Sequence, residues 1–327
     1  MPSLKHKNPQ IPKPFAWRPG DGPHAACVQR MRDCLPRPAN PMGEALFMSE
    51  ERRMFGWLLG DLGDFTFEEL RSPLREIASG NSCFGPMEEW TEWFHYLLAQ
   101  LVTRHHERSF DSLYQHLVTA FIAVHPREID EPYPGFADDA RQSLGRCLMD
   151  STRWVGERLA VGPPEDPFNG GRRAAFEWSV ACGDFSAGMF FCTKYVREDE
   201  LDAWLDSVFA IRCPLWTTQL YSWLLDAHPL LSGRVLQLAD LDSDADSCAT
   251  WIGSSDLSGD YSGVYEPEPG PLPLLSQGRG EVVLRSARRN VSEASYFEWL
   301  DAIGPYDYLQ TTLGGKPSRF AEVFGLA

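Results

Sequence analysis

The chain has 327 residues, 43% of them hydrophobic, and carries 46 acidic against 30 basic side chains, for a formal net charge of −16. That length and apolar content suffice to bury a large core in one or two domains and exclude a disordered acidic tail. The charge excludes nucleic acid and anionic membranes, which are themselves polyanions, and favours a basic protein as partner.

Eight cysteines occur without a C-x-x-C pair. A zinc ribbon, a thioredoxin-type site and a disulfide framework are therefore disfavoured, and the thiols are expected to be reduced and packed. The opening "MPSLKHKNPQIPKPF" contains no apolar core of a secretion signal. Apolar stretches such as "LVTAFIAV" (Leu117 to Val124) fall short of the roughly 20 residues a bilayer helix needs. Cytoplasmic residence without membrane contact is the expectation.

Residues 1–45 hold nine prolines, with seven basic and three acidic side chains. Because proline fixes φ and removes a backbone donor, they read as a basic extended arm, wrapped on the body or mobile. The body beyond it is more acidic than the average. Residues 46–161 read as a first helical half. Thr66 and Glu69 have capping-box spacing, opening a helix through Leu70, Leu74 and Ile77 that stops at Gly80. Trp90, Trp93, Phe94, Leu97, Leu98, Leu101 and Val102 recur at helical spacing, as do Phe110, Leu113, Tyr114, Leu117, Val118, Phe121 and Ile122. Only "TRHHERS" separates them, so an antiparallel hairpin is predicted. Leu144, Leu148, Val155 and Leu159 suggest a further helix.

The Pro- and Gly-rich stretch 162–171, "GPPEDPFNGG", reads as a linker to a second helical half, 172–327. Helical stripes resume at Leu201, Trp204, Leu205, Val208 and Phe209, and at Trp216, Leu220, Trp223 and Leu224. Residues 235–278 then carry eight acidic side chains and no Lys or Arg, an acidic irregular segment. "EVVLRSA" is predicted as a strand, before helices near Tyr296 to Ile303 and Arg319 to Phe324. The expected fold is mainly α, helical hairpins or a bundle with at most a minor β element. "GDFT", "GDFS" and "GDYS", at Gly63, Gly183 and Gly259, share no solenoid period and read as helix starts.

Within the acidic segment, Asp240, Asp242, Asp244 and Asp246 alternate along "LADLDSDADSCATWIG". An EF-hand loop needs Gly at its sixth position and Glu at its twelfth. Counted from Asp240 those positions hold Ala245 and Trp251, and from Asp242 they hold Ser247 and Gly253. No metal site follows. The alternatives are a solvated loop or a recognition surface, in which Asp256 and Asp260 extend the charge and Trp251 and Tyr261 supply aromatic anchors.

Catalytic patterns are poorly supported. Neither Ser186 nor Ser262 has the glycines a nucleophile elbow requires. His105, His106 and Glu107 lack an H-E-x-x-H continuation, and read as exposed loop residues. "NGGRR" (Asn169 to Arg173) lacks the P-loop spacing. No cofactor, metal or catalytic residue is assigned, and the chain is not expected to be an enzyme.

This acidic, helical character, with the "GDLGDFTFEEL" and "EEWTEWFHYLL" region, resembles the cytoplasmic immunity proteins that bacteria pair with nuclease effectors of the type VI secretion system. The resemblance implies an antitoxin-type inhibitor that occludes a basic toxin surface by protein–protein contact. It transfers no individual functional residue. The contact surface expected from the sequence is Asp240, Asp242, Asp244, Asp246, Trp251, Asp256, Asp260 and Tyr261. The alternatives are a helical adaptor that binds peptides, and a hydrolase whose site is assembled from distant segments.

Overall fold

The structure, a computed structural model, describes residues 14–43, 55–84, 87–104, 113–162, 176–241, 247–257, 272–276 and 278–326. Among these the fold is mainly α, with thirteen α-helices and two small strand pairs. No helix among them is long and apolar enough to cross a membrane.

Helices α1 (Ala25–Cys34), α2 (Phe67–Phe84), α3 (Glu88–Leu101), α4 (Leu113–Val124) and α5 (Phe136–Ser143) precede the strands. Helix α4 lies chiefly against α2, while α1 packs on α5 and α3. The predicted capping box opens α2: the Thr66 N–H donates to Glu69 Oε2 at 2.8 Å and the Glu69 N–H to Thr66 Oγ1 at 3.3 Å. The helix does not stop at Gly80. It continues to Phe84, and Gly80 is buried within it, a packing role that a glycine shares with a helix stop in sequence.

Strands β1 (Trp154–Val155) and β2 (Arg158–Leu159) pair antiparallel, and β3 (Val161–Gly162) and β4 (Phe176–Glu177) pair parallel. The helix expected from Leu144, Leu148, Val155 and Leu159 is therefore absent. Two 3-10 turns lead into a hairpin in which Gly156 takes φ 63°, a conformation that side chains other than glycine rarely adopt. The spacing of 148 and 155 suited either structure, and the turn decided it. The proposed linker 162–171 lies almost wholly outside the described residues.

Helix α6 (Trp178–Tyr195) is the centre of the molecule: every residue except Ser179 is buried. It touches α4 on one side and α8 (Pro214–Asp226) and α10 (Arg279–Asn290) on others. A helix apolar on all faces is the expected occupant of such a position. Around it lie α7 (Glu198–Ala210), α9 (His228–Leu231), α11 (Glu293–Ile303), α12 (Asp307–Leu313) and α13 (Lys316–Phe324). "EVVLRSA" is part of α10, not a strand. The buried positions of α10 are Gly280, Val283, Leu284, Ser286 and Ala287, a helical stripe in which only two residues are large and apolar.

The proline-rich segment is part of the core as well. Trp17 stands edge-on to Trp204 and Trp216, with ring centroids 5.1 and 5.6 Å away. Its indole N–H donates to the Gly145 carbonyl at 2.7 Å. Burying side chains such as Phe15 and Trp17 contributes about 1.5–3 kcal/mol each, enough to hold residues 14–24, which have no regular structure, against the body. The expectation of an extended arm fails beyond them, since α1 spans Ala25–Cys34 within it. One continuous apolar cluster runs from Phe15 to Leu326.

The contact between α9 and α10 is close enough to test. A Cβ on Gly280 would lie 2.2 Å from the Leu231 carbonyl oxygen, and backbone yields less readily than a side chain. Gly280→Ala is expected to destabilise the fold by about 1–3 kcal/mol or more, read as a lowered urea midpoint; an unchanged midpoint would show that the two helices do not approach so closely.

Candidate functional site

Described residues flank the aspartate run on both sides. On the entry side Leu238 and Leu241 are buried while Asp240 is exposed. On the return side the Cys248 N–H donates to Asp226 Oδ2, at the end of α8, at 2.7 Å. Asp242, Asp244 and Asp246 lie outside the described residues, as do Asp260 and Tyr261.

The loop after the run is anchored on α4. The Trp251 indole N–H donates to Thr119 Oγ1 at 2.8 Å, and the Ile252 N–H donates to Gln115 Oε1 at 2.7 Å. The Trp251 ring packs near Phe190 of α6 and is 6% exposed. Gly253, at φ 87°, passes close to His116, and the Asp256 carbonyl accepts from Ser82 Oγ at 2.6 Å.

Two members of the expected contact surface are corrected by this geometry. Trp251 is a core residue whose polar edge is already satisfied, so it is not an aromatic anchor for a partner. Asp256 is partly buried and faces the chain's own Arg75, whose Nε lies 3.9 Å away. Burial raises its carboxyl above the ordinary range, with Arg75 opposing. Asp240 remains solvent-facing and has no ion-pair partner among the described residues.

The polar interior had no counterpart in the sequence reading. Asp184, inside α6, accepts from Arg153 Nη1 at 2.6 Å and from Gln115 Nε2 at 2.8 Å, and all three are buried. "GDFS" is thus a helix interior, although "GDFT" is a helix start. The Arg153 guanidinium also lies over the Phe176 ring, 4.7 Å from its centroid. Beside it is a hollow of about 10 Å³ that Gln219 and Trp216 help to line, far below the size of a substrate pocket.

Histidines also meet in the core. His95 Nε2 and His125 Nε2 are 3.3 Å apart, and the Asp130 N–H donates to His125 Nδ1 at 3.2 Å. That leaves the His125 proton on Nε2, donated to His95, whose own proton is then on Nδ1. Burial, reinforced by His125, lowers the His95 pKa to about 3; burial lowers that of His125 to about 4. His116 is lowered to about 4 by burial, with Arg71 and Arg75 adding to it. His105, His106 and Glu107 lie outside the described residues. Among the described residues, no three His, Cys, Asp or Glu side chains are grouped to hold a metal ion.

Several cations bond the chain's own backbone or carboxylates. Arg37 donates to the Leu59 and Gly60 carbonyls at 2.7 and 2.9 Å, and Arg279 to those of Thr193 and Val196 at 2.9 and 2.8 Å. Buried Lys194 donates to the Leu274 carbonyl at 2.7 Å, and burial lowers its pKa to about 8. Arg30 pairs with buried Asp139. No protein family, curated protein or solved structure was found to match this chain.

Proposed function

We propose that this chain is a binding protein that neutralises a basic toxic protein, as an immunity protein neutralises a secreted nuclease, with Asp240 and the aspartates after it as the contact face. The balance of its charges supports this reading. The formal net charge is −16, and Asp64, Glu92, Glu128, Asp240, Glu281 and Glu298 are exposed, alongside exposed arginines such as Arg158, Arg212 and Arg319. Carboxylates displayed to solvent can occupy a cleft built for phosphates. The fixed ends of the run, at Leu241 and Cys248, reduce the ordering cost of docking.

The test is isolation of the chain from its native cell at low ionic strength, followed by binding kinetics with the recovered partner. A stoichiometric basic nuclease whose association slows steeply as salt rises is the expected result. Asp240→Lys with Asp→Asn at 242, 244 and 246 should lower the association rate constant about tenfold or more. A neutral or acidic partner, or kinetics indifferent to salt and to these changes, would overturn the proposal; an apolar peptide as partner would point to an adaptor.

A further inference from the structure

The hollow beside the Arg153 and Asp184 pair is walled by apolar side chains and by nitrogen. Leu148, Leu159, Phe176 and Trp216 form much of the wall, and Arg153 and Gln219 supply its polar side-chain atoms. Both are almost wholly buried, at 3% and 2% exposed. Arg153 gives only Nη1 to Asp184. Among the described residues its Nε and Nη2 have no hydrogen-bond partner, and neither has Gln219 Nε2. The Cys182 thiol lies beside the Gln219 side chain, but a thiol sulfur is a weak acceptor. The Trp216 indole N–H is already given to the Val208 carbonyl, at 3.0 Å.

The open edge of this guanidinium is the one suited to an anion. Nε and Nη2 carry parallel N–H groups that can hold an acceptor from two sides. Helix α1 shows the same edge in use, where Arg30 Nε and Nη2 grip the Asp139 carboxylate. At Arg153 the fork and the Gln219 amide are all donors, and a buried donor left unmet is costly. The hollow, about 10 Å³, admits one atom-sized guest and excludes phosphate and metabolites. A water could accept from these donors, but while the Gln219 amide presents nitrogen the side chains of the wall offer no acceptor for the water's own two hydrogens. A halide ion needs none.

We propose that this hollow is a buried halide site that holds one chloride between Arg153 Nε, Arg153 Nη2 and Gln219 Nε2. The side-chain ends of Leu148 and Leu159 can yield to the small excess of chloride's radius over that of water. The ion joins Arg153, just ahead of β1, to Gln219 of α8. It thereby completes the hydrogen bonding of a buried network that continues from Arg153 through Asp184 and Gln115 to Ile252, on the loop after the aspartate run.

The test uses the full-length chain in sodium chloride or sodium bromide, exchanged at constant ionic strength for sodium gluconate, whose organic anion is too large for the hollow. In urea unfolding, the folding equilibrium constant should rise with halide, approaching tenfold for each tenfold increase above the dissociation constant. A crystal soaked in sodium bromide should show an anomalous scattering peak at the Arg153 fork. Gln219→Met, similar in shape and uncharged, should raise the halide concentration required about tenfold or more, the effect of one hydrogen bond to a charged group. Asp184→Asn should lose less stability in chloride than in gluconate, because no carboxylate then repels the ion. Equal stability in halide and gluconate, no bromide at the fork, a bromide peak without any effect on stability (an adventitious ion only), or an unchanged halide dependence in Gln219→Met would overturn the assignment. None of these readouts involves a partner protein, so the halide site and the toxin reading fail separately.

Discussion

Asp184→Asn is expected to destabilise the protein by about 3–5 kcal/mol, the usual cost of breaking a buried ion pair from one side. The substitution preserves shape, and its amide oxygen can still accept from Gln115, so the loss isolates the charge. Arg153 would be left cationic in the core, with the faces of Phe176 and Tyr114 as its remaining electrostatic support. Among the described residues two of its nitrogens have no hydrogen-bond partner, so little compensation is at hand. Arg153→Met combined with Asp184→Asn removes both charges and should recover much of the loss, since apolar replacements of buried pairs are often tolerated. Urea unfolding of the two single variants and the double variant checks this. A double variant whose loss equals the sum of the singles would show that the two side chains do not act together.

Gln115 gives that prediction a second consequence. Its amide nitrogen serves Asp184 and the Val180 carbonyl, while its oxygen receives the Ile252 N–H. The ion pair is thereby linked through one side chain to the loop that follows the aspartate run. A shift of Gln115 in the Asp184 variant would loosen Ile252, an effect that amide exchange at that residue can detect.

The large apolar stripes made α3, α4, α7 and α8 legible, because Leu, Phe and Trp at helical spacing mark a buried face whatever lies opposite. Helix α10 was illegible because Gly280, Ser286 and Ala287 occupy three of its five buried positions, and at 280 the Leu231 backbone leaves no room for a side chain. The 144–159 region failed for a different reason. Its apolar residues fit a helical period, but the chain turns at Gly156, and nothing in the spacing of leucines and valines reports a two-residue loop.

The acidic character of the candidate site was readable directly, whereas the roles of its neighbours were not. Trp251 follows four aspartates in an irregular segment and resembles an interface aromatic; only the groove between α4 and α6 shows that it is core. Asp184 carried a usable signal: a charge within "WSVACGDFSAGMFFCTKYV", a stretch otherwise almost devoid of polar bulk, marks a buried ionised group that needs a partner. The partner, Arg153, is 31 positions earlier in the chain, a separation that no local pattern encodes. Lys316 likewise meets Asp226 and Cys248, which only the packing of α13 against α8 and the loop after the aspartate run brings together.

Stability is expected to fall steeply between pH 6.5 and pH 5, through His95, His116 and His125. In the folded chain these titrate at about 3, 4 and 4, whereas an unfolded histidine titrates near 6.5. Above about pH 7.5 all three are neutral in both states and the fold keeps its full stability. Below it the unfolded chain takes up protons that the folded core refuses, so stability is lost as pH falls, until the folded pKa values are reached. Each histidine then removes about 1.5 kcal/mol between pH 6.5 and pH 5, so the three together approach the whole stability of an ordinary domain. Asp130, with a carboxylate oxygen 3.8 Å from His125 Nδ1, is exposed and too well screened to offset this. Unfolding at pH 5.5, followed calorimetrically in buffers of different ionisation enthalpy, should therefore show uptake of between two and three protons by these side chains. Replacing His116 with Gln should reduce the uptake by nearly one. Uptake below one proton in the unaltered chain would mean that the histidines are not held neutral by burial.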